Sequence, residues 1–290
     1  MIETRGLVKR YGSVTALDGV DLAVARGAVY GLVGRNGAGK TTLLGILAGL
    51  RSPTSGSVAI AVSRGDVAVL PDTPRFDPWL TGREVVSLAA HLTSGDAARV
   101  EAVIAEAGLA DDLDRAVRGY SRGMLQRLGV ACTVVGSPQV VLLDEPASAL
   151  DPLGRREVLD LIGRLRGSAT VLFSSHILGD VQEVCDTVGI LDEGNLVFQG
   201  PLEDLLVGSA VPRYLVRCRP PIEPVMASLR DRLWVVGVDP VDGDRFSVMV
   251  ASLDDAEVRL ARALAEAGAR VISFAPEAVT LEQAFLELTR

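Results

Sequence analysis

The sequence predicts an α/β protein, with a mostly parallel sheet that carries a helical insertion and is followed by a small α+β domain. Three observations predict it. Continuous apolar runs at Val29–Val33, Val140–Leu143 and Thr170–Phe173 suit strands covered on both faces. The helical stretch Pro152–Leu165, between the last two runs, has the length of a βαβ crossover. Beyond a composition shift at Gly208–Pro212, short strands and helices alternate to the end of the chain.

In chain order, Ile2–Val8 and Val20–Val24 read as strands ahead of Val29–Val33, and Val67–Leu70 as another. Apolar spacing at Leu43, Leu44, Ile46, Leu47 and Leu50 predicts a helix directly after a glycine-rich loop. From about residue 80 to 135 the period is helical, through Val85, Val86, Leu88 and Ala89 and again through Val100, Val103, Ile104 and Ala107. Residues 1–208 are therefore expected to form one domain with a helical subdomain, and 209–290 a second. In the second, Tyr214–Cys218 reads as strand, Ile222–Arg232 as helix and Leu233–Val238 as strand. An Asp242-Gly243 turn leads to strand Arg245–Val250, then helix Asp254–Ala267, strand Arg270–Phe274 and helix Leu281–Thr289. That order predicts a ferredoxin-like α+β fold.

The bulk composition narrows the chemistry. No apolar stretch in the 290 residues approaches the roughly 18–20 needed to span a bilayer. The charged start Met1–Arg10 has no apolar region of a secretory signal, so a cytoplasmic chain is expected. Cys132, Cys185 and Cys218 are too scattered for a disulfide framework or a zinc site. The net charge of −8 speaks against nucleic acid as the main partner. Lysine occurs only at positions 9 and 40, every other basic residue being Arg, so Lys40 marks a place where a compact ammonium is needed.

Lys40 closes the pattern G-x-x-x-x-G-K-[ST] at Gly34–Thr41, between a predicted strand and a predicted helix. Glycines let backbone N–H groups converge on phosphate oxygens, and the helix points its positive end at the same anion. Lys40 would bridge the β- and γ-phosphates, and the Thr41 hydroxyl would ligate Mg²⁺. Neither lysine follows an Asn, so the Asn-Lys-x-Asp guanine reader is absent.

Val140-Val141-Leu142-Leu143-Asp144-Glu145-Pro146 ends an apolar strand in paired carboxylates, which are costly to bury without a cation. It resembles the Walker B strand of ATP-binding-cassette (ABC) proteins. Tyr120-Ser121-Arg122-Gly123-Met124-Leu125-Gln126-Arg127 is similar to that family's signature motif, with Ser121 placed to cap the helix that follows. Ser148-Ala149-Leu150-Asp151 resembles its D-loop, His176 in Ser174-Ser175-His176 its switch histidine, and Tyr11 its adenine-stacking aromatic. The form of the signature and the ending Leu281–Leu288 are similar to the drug-export, daunorubicin-resistance type of ATPase.

The resemblance implies a P-loop ATPase cassette with ATP and Mg²⁺ as cofactors. It implies Glu145 and His176 as catalytic residues. Nucleotide contacts would come from Tyr11, from Gly34, Arg35, Asn36, Gly37, Ala38, Gly39, Lys40, Thr41 and Thr42, and from Ser121, Gly123 and Asp151. Thr41, Asp144 and Asp72 would hold the metal. The implied partners are a second copy, head to tail, and a separate membrane permease that would hold the chain on the inner face of the membrane. Two positions depart from the family pattern, Arg35 where Pro is usual and Asp72 where the Q-loop has Gln. Asp72 is shorter and charged, and still offers the oxygen that Mg²⁺ favours. Phe76 and Trp79 lie where the family receives its permease, or serve as core residues. The alternative reading is a soluble cassette ATPase acting on the ribosome or nucleic acid; the single cassette, the lack of heptads and the acidic charge argue against it.

Overall fold

Short apolar runs become central strands when both faces find cover, and the main sheet is built from such runs. The computed structural model describes residues 1–93, 95–148, 150–208, 212–276 and 281–288. The expected positions Ala149, Ser209, Ala210, Val211 and Thr289 lie outside them. Two compact units result, Met1–Leu202 and Glu203–Leu288.

The first unit opens with β1 (Ile2–Tyr11), β2 (Val14–Val20) and β3 (Ala23–Val24), then β4 (Val29–Val33), α1 (Lys40–Leu47), β5 (Ser55–Ile60) and β6 (Val67–Leu70). A helical layer follows, α2 (Gly82–Leu92), α3 (Val100–Glu106) and α4 (Arg122–Val134). The chain returns as β7 (Val140–Leu143), α5 (Pro152–Arg164), β8 (Thr170–Ser175), α6 (Leu178–Val184), β9 (Thr187–Asp192) and β10 (Asn195–Pro201), with α7 (Leu202–Gly208) after it.

β1 pairs with β2, β3 and β5 in an antiparallel sheet. The main sheet runs β10-β9-β4-β8-β7-β6, parallel except for the β9–β10 hairpin. Every residue of β4, β7 and β8 is buried, including the hydroxyls of Thr170, Ser174 and Ser175 at the ends of the apolar run in β8. One core joins the two sheets through α1, with Leu7, Leu17, Leu32, Leu43, Leu142 and Leu172 among its members. The helical layer has a separate core, including Val86, Ile104, Leu109 and Leu128. Its first helix is fixed by a capping box, in which Thr81 accepts from the Glu84 N–H and Glu84 accepts from the Thr81 N–H.

The run Val20–Val24 is two strands and not one. Between them the Leu22 N–H bonds to the Thr4 hydroxyl rather than to a ladder partner. β5, β9, β10 and, apart from Val20, β2 are additional to the strands expected from the sequence. β5 begins Ser55-Gly56-Ser57, a weak strand signal, and is held by its register with β1.

The second unit takes in all but the first residue of α7, then β11 (Arg213–Cys218), α8 (Glu223–Arg230), β12 (Val235–Asp242), β13 (Arg245–Val250), α9 (Leu253–Glu266), β14 (Val271–Pro276) and α10 (Leu281–Leu288). Its antiparallel sheet has the order β12-β13-β11-β14, the split βαβ arrangement of a ferredoxin-like fold. Tyr214, Val216, Phe246, Val248 and Val250 pack with Leu229 and Leu260 in its core. Among the described residues, no helix is long and apolar enough to cross a membrane.

Candidate active site

Four adjacent strands of the main sheet, β4, β8, β7 and β6, deliver side chains from their carboxyl ends to one place. This is where open parallel sheets bind ligands. β4 gives the glycine loop, β6 leads to Asp72, β7 ends at Asp144 and Glu145, and β8 ends at Ser174, Ser175 and His176.

The loop path demands glycine at two points. A Cβ on Gly34 would stand 2.3 Å from the Leu191 carbonyl oxygen. Gly39 has φ +109°, and its Cβ would stand 2.4 Å from the Ala16 carbonyl oxygen. Gly39 is also the N-cap of α1 and offers no side chain to the first turn, so the N–H groups there remain available to an anion. The Lys40 side chain is buried. Its Nζ donates to the Gly34 oxygen at 2.7 Å and the Arg35 oxygen at 3.2 Å, and lies 3.3 Å from Glu145 Oε1.

One hydroxyl joins the Asp144 carboxylate to the Glu145 backbone. Ser174 Oγ is fully buried, donates to Asp144 Oδ1 at 2.6 Å and accepts from the Glu145 N–H at 2.9 Å. Glu145 has φ +48°, a strained position for a residue with a side chain, of a kind that clusters at functional sites. Its Oε2 accepts from His176 Nδ1 at 2.7 Å. Lys40, Glu145 and His176 thus form a continuous polar run, closed at its carboxylate and open at the histidine, which is 42 % exposed.

A cleft of about 490 Å³ brings together Asn36, Gly37, Gly39, Lys40, Thr41, Thr42, Asp72, Glu145 and His176. Ala16, Arg122 and Ser148 also line it without having been assigned a role from the sequence. Gly34, Arg35 and Ala38 do not line the cleft, and the first two accept from Lys40 through their carbonyls. Thr41 also borders a smaller cavity of about 150 Å³ that contains Asp144. Thr41, Asp72 and Asp144 present hydroxyl and carboxylate oxygens only, a donor set that fits Mg²⁺ together with phosphate.

Besides Gly34, Arg35, Ala38 and Asp144, four predicted residues do not line this cleft. Tyr11 ends β1 half-exposed, its hydroxyl accepting from Arg51 at 2.9 Å and its ring 4.9 Å from Lys9 Nζ. Ser121 caps α4 by accepting from the Met124 N–H at 3.2 Å. Gly123 lies under Leu150, whose Cδ2 would be 3.1 Å from an added Cβ. Asp151 caps α5 through the Gly154 N–H at 2.9 Å.

Sequence reasoning quoted Ser174 but gave it no part. The available signal was a hydroxyl at the end of an otherwise apolar strand, where burial obliges it to find partners.

Comparison with known proteins extends the geometry. The family model described as ABC transporter matches residues 17–148. The daunorubicin resistance ATP-binding protein DrrA3 of Streptomyces coeruleorubidus is 35% identical, over 99% of this chain and 95% of its own length. The bacitracin transport ATP-binding protein BcrA of Enterococcus faecalis is 35% identical, over 71% of this chain and 70% of its own. A solved structure described as an ATP binding subunit of an ABC transporter superposes with a TM-score of 0.66 at 29% identity. It covers 72% of this chain and 92% of its own.

Proposed function

The chain belongs to the ABC transporter family as an ATP-binding, ATP-hydrolysing subunit, and from that premise we propose that it drives export through a separate membrane permease, working as a head-to-tail pair of copies. The observation that carries the reading is the convergence of Lys40, Glu145 and His176 on the cleft behind a glycine loop.

In the proposed mechanism the phosphates enter at the start of α1, where the first-turn N–H groups and Lys40 receive them. Lys40 then exchanges its contact with Glu145 for phosphate oxygen. Glu145, freed on one oxygen and held on the other by His176, accepts the proton of the attacking water. A positioned base of this kind contributes about 10²–10⁴-fold in rate. Thr41, Asp144 and Asp72 would hold Mg²⁺, which when bound neutralises charge on the β- and γ-phosphates.

Ser121, Gly123 and Asp151 stand outside the cleft of their own chain, which supports assigning them to the nucleotide of a second copy. Export is supported by what DrrA3 and BcrA are named for, resistance to daunorubicin and transport of bacitracin. The surface of the helical layer supports docking. Trp79 is 70% exposed, with the Arg118 guanidinium 4.8 Å over its ring, while Phe76 packs against the helical core. Exposed aromatics of this kind anchor protein interfaces.

The test is affinity purification of the tagged chain from its own membranes in mild detergent with ATP, followed by mass spectrometry. A polytopic membrane protein in near-equal amount is expected. Ribosomal or DNA-repair proteins with no membrane partner would overturn the transporter reading.

A further inference from the structure

α6 begins two residues after His176, so whatever fixes its first turn also fixes the loop that presents the imidazole. Asp180 lies in that turn, with its side chain only 3% exposed, and pairs through Oδ1 with Arg155 Nε on α5. Its Oδ2 lies 3.5 Å from Ser175 Oγ. That hydroxyl accepts from the Ile177 N–H at 2.9 Å and donates to the Ile177 oxygen at 3.1 Å. The two neighbours of His176 are thus tied to each other, and the tie rests against Asp180.

The other end of the pair leads to the second catalytic loop. The Arg155 N–H bonds to the Asp151 oxygen at 2.9 Å, and Asp151 caps α5, whose start follows the loop from Glu145. One ion pair therefore spans the first turns of the two helices that follow the Glu145 and His176 loops. A cleft of about 540 Å³ beside it, lined by Leu150, Arg155, Arg156, Asp180 and Glu183, shows that the pair is not sealed in a packed core. Burial pushes the Asp180 carboxyl up, and Arg155 holds it down. Ion pairs of this sort add little net stability, because desolvation offsets attraction, so the service of the pair is geometric.

We propose that the Arg155–Asp180 pair is a positioning device for the ATPase reaction, setting the separation of the His176 and Glu145 loops so that the imidazole meets the carboxylate. The proposal rests on the role assigned to His176 above. Neither Asp180 nor Arg155 lines the 490 Å³ cleft that holds Lys40, Glu145 and His176; both act through the loop.

The experiment is steady-state ATPase kinetics of Asp180→Asn in the wild-type and His176→Ala backgrounds. In the wild-type background kcat is expected to fall about tenfold, since sub-ångström misplacement of a catalytic group is costly. KM for ATP should move by less than about twofold, because the phosphate loop is untouched. In His176→Ala the same substitution should change kcat by less than about twofold, as it acts through a group already removed. Arg155→Gln should reproduce the pattern and Arg155→Lys should recover most of the rate. Arg155 is partly exposed, so its variants serve if Asp180→Asn does not fold. An unchanged kcat in Asp180→Asn, or an equal fold-loss in both backgrounds, overturns the proposal alone. An unchanged rate in His176→Ala by itself refutes the parent reading and the proposal with it.

Discussion

Replacing Ser174 with Ala tests the construction of the carboxylate pair directly. The hydroxyl is fully buried and makes two hydrogen bonds, one to the Asp144 carboxylate and one from the Glu145 N–H. A bond to a charged group is worth about 2 kcal/mol and a neutral one about 1 kcal/mol, so about 3 kcal/mol is lost when both partners stay buried. For a unit the size of Met1–Leu202, each kcal/mol moves Tm by about 2–4 °C, which gives a fall of about 6–12 °C. The catalytic effect should be separable from the thermal one. Without its backbone anchor, Glu145 relaxes from φ +48° and its carboxylate leaves the line between Lys40 and His176. We expect kcat to fall by at least about tenfold at temperatures where the variant is fully folded. Thermal denaturation followed by circular dichroism, with phosphate release measured well below Tm, reads both. A Tm within about 2 °C of wild type together with an unchanged kcat would refute the reasoning.

Glu145→Gln should lower turnover by about 10²–10⁴-fold while still binding ATP, as seen by phosphate release beside equilibrium binding of a fluorescent analogue. Gly39→Ala forces a side chain into φ +109° and onto the Ala16 carbonyl; a cost of about 1–3 kcal/mol and loss of measurable ATP binding are expected, and calorimetry on a folded sample checks both. Burial pushes the Cys132 thiol up to about 12, so between pH 9 and 12 the unfolded thiol ionises while the folded one stays protonated. Its contribution to stability is therefore full below pH 9 and lost as pH rises toward 12, and Cys132→Ala should show a shallower decline than wild type in denaturant titrations across that window.

What the sequence made legible is what is local. The strand Val29–Val33, the glycine loop and α1 are contiguous, and their chemistry is written in residue types that no other arrangement needs. The split βαβ order of the second unit was readable for the same reason, since each turn carries its own signal, such as Asp242-Gly243. Strands fixed from a distance were not readable. β2 alternates poorly because Asp18-Gly19 interrupts it, and it is a strand only because β1 stands beside it. β10 carries only the short apolar run Leu196-Val197-Phe198 before Gln199-Gly200-Pro201, and its ladder with β9 supplies the order. In the site, motif matching gave roles to Lys40, Glu145 and His176, while Ser174, Arg122 and Ser148 stood inside the matched motifs without one. The parts these three play depend on which strand ends become neighbours.

β6 and β7 lie side by side, with Leu70 opposite Leu143 and Val67 opposite Val140. The chain leaves the sheet at the end of β6, Leu70, and comes back at the start of β7, Val140, so the helical layer, with its own core, is one excursion between two neighbouring strands. Such an excursion is a cartridge. Exchanging residues 76–118 for the matching stretch of a related cassette would leave every strand of the sheet and every residue lining the ATP cleft in place. The face offered to a partner, Trp79 included, would change while the hydrolytic engine kept its frame.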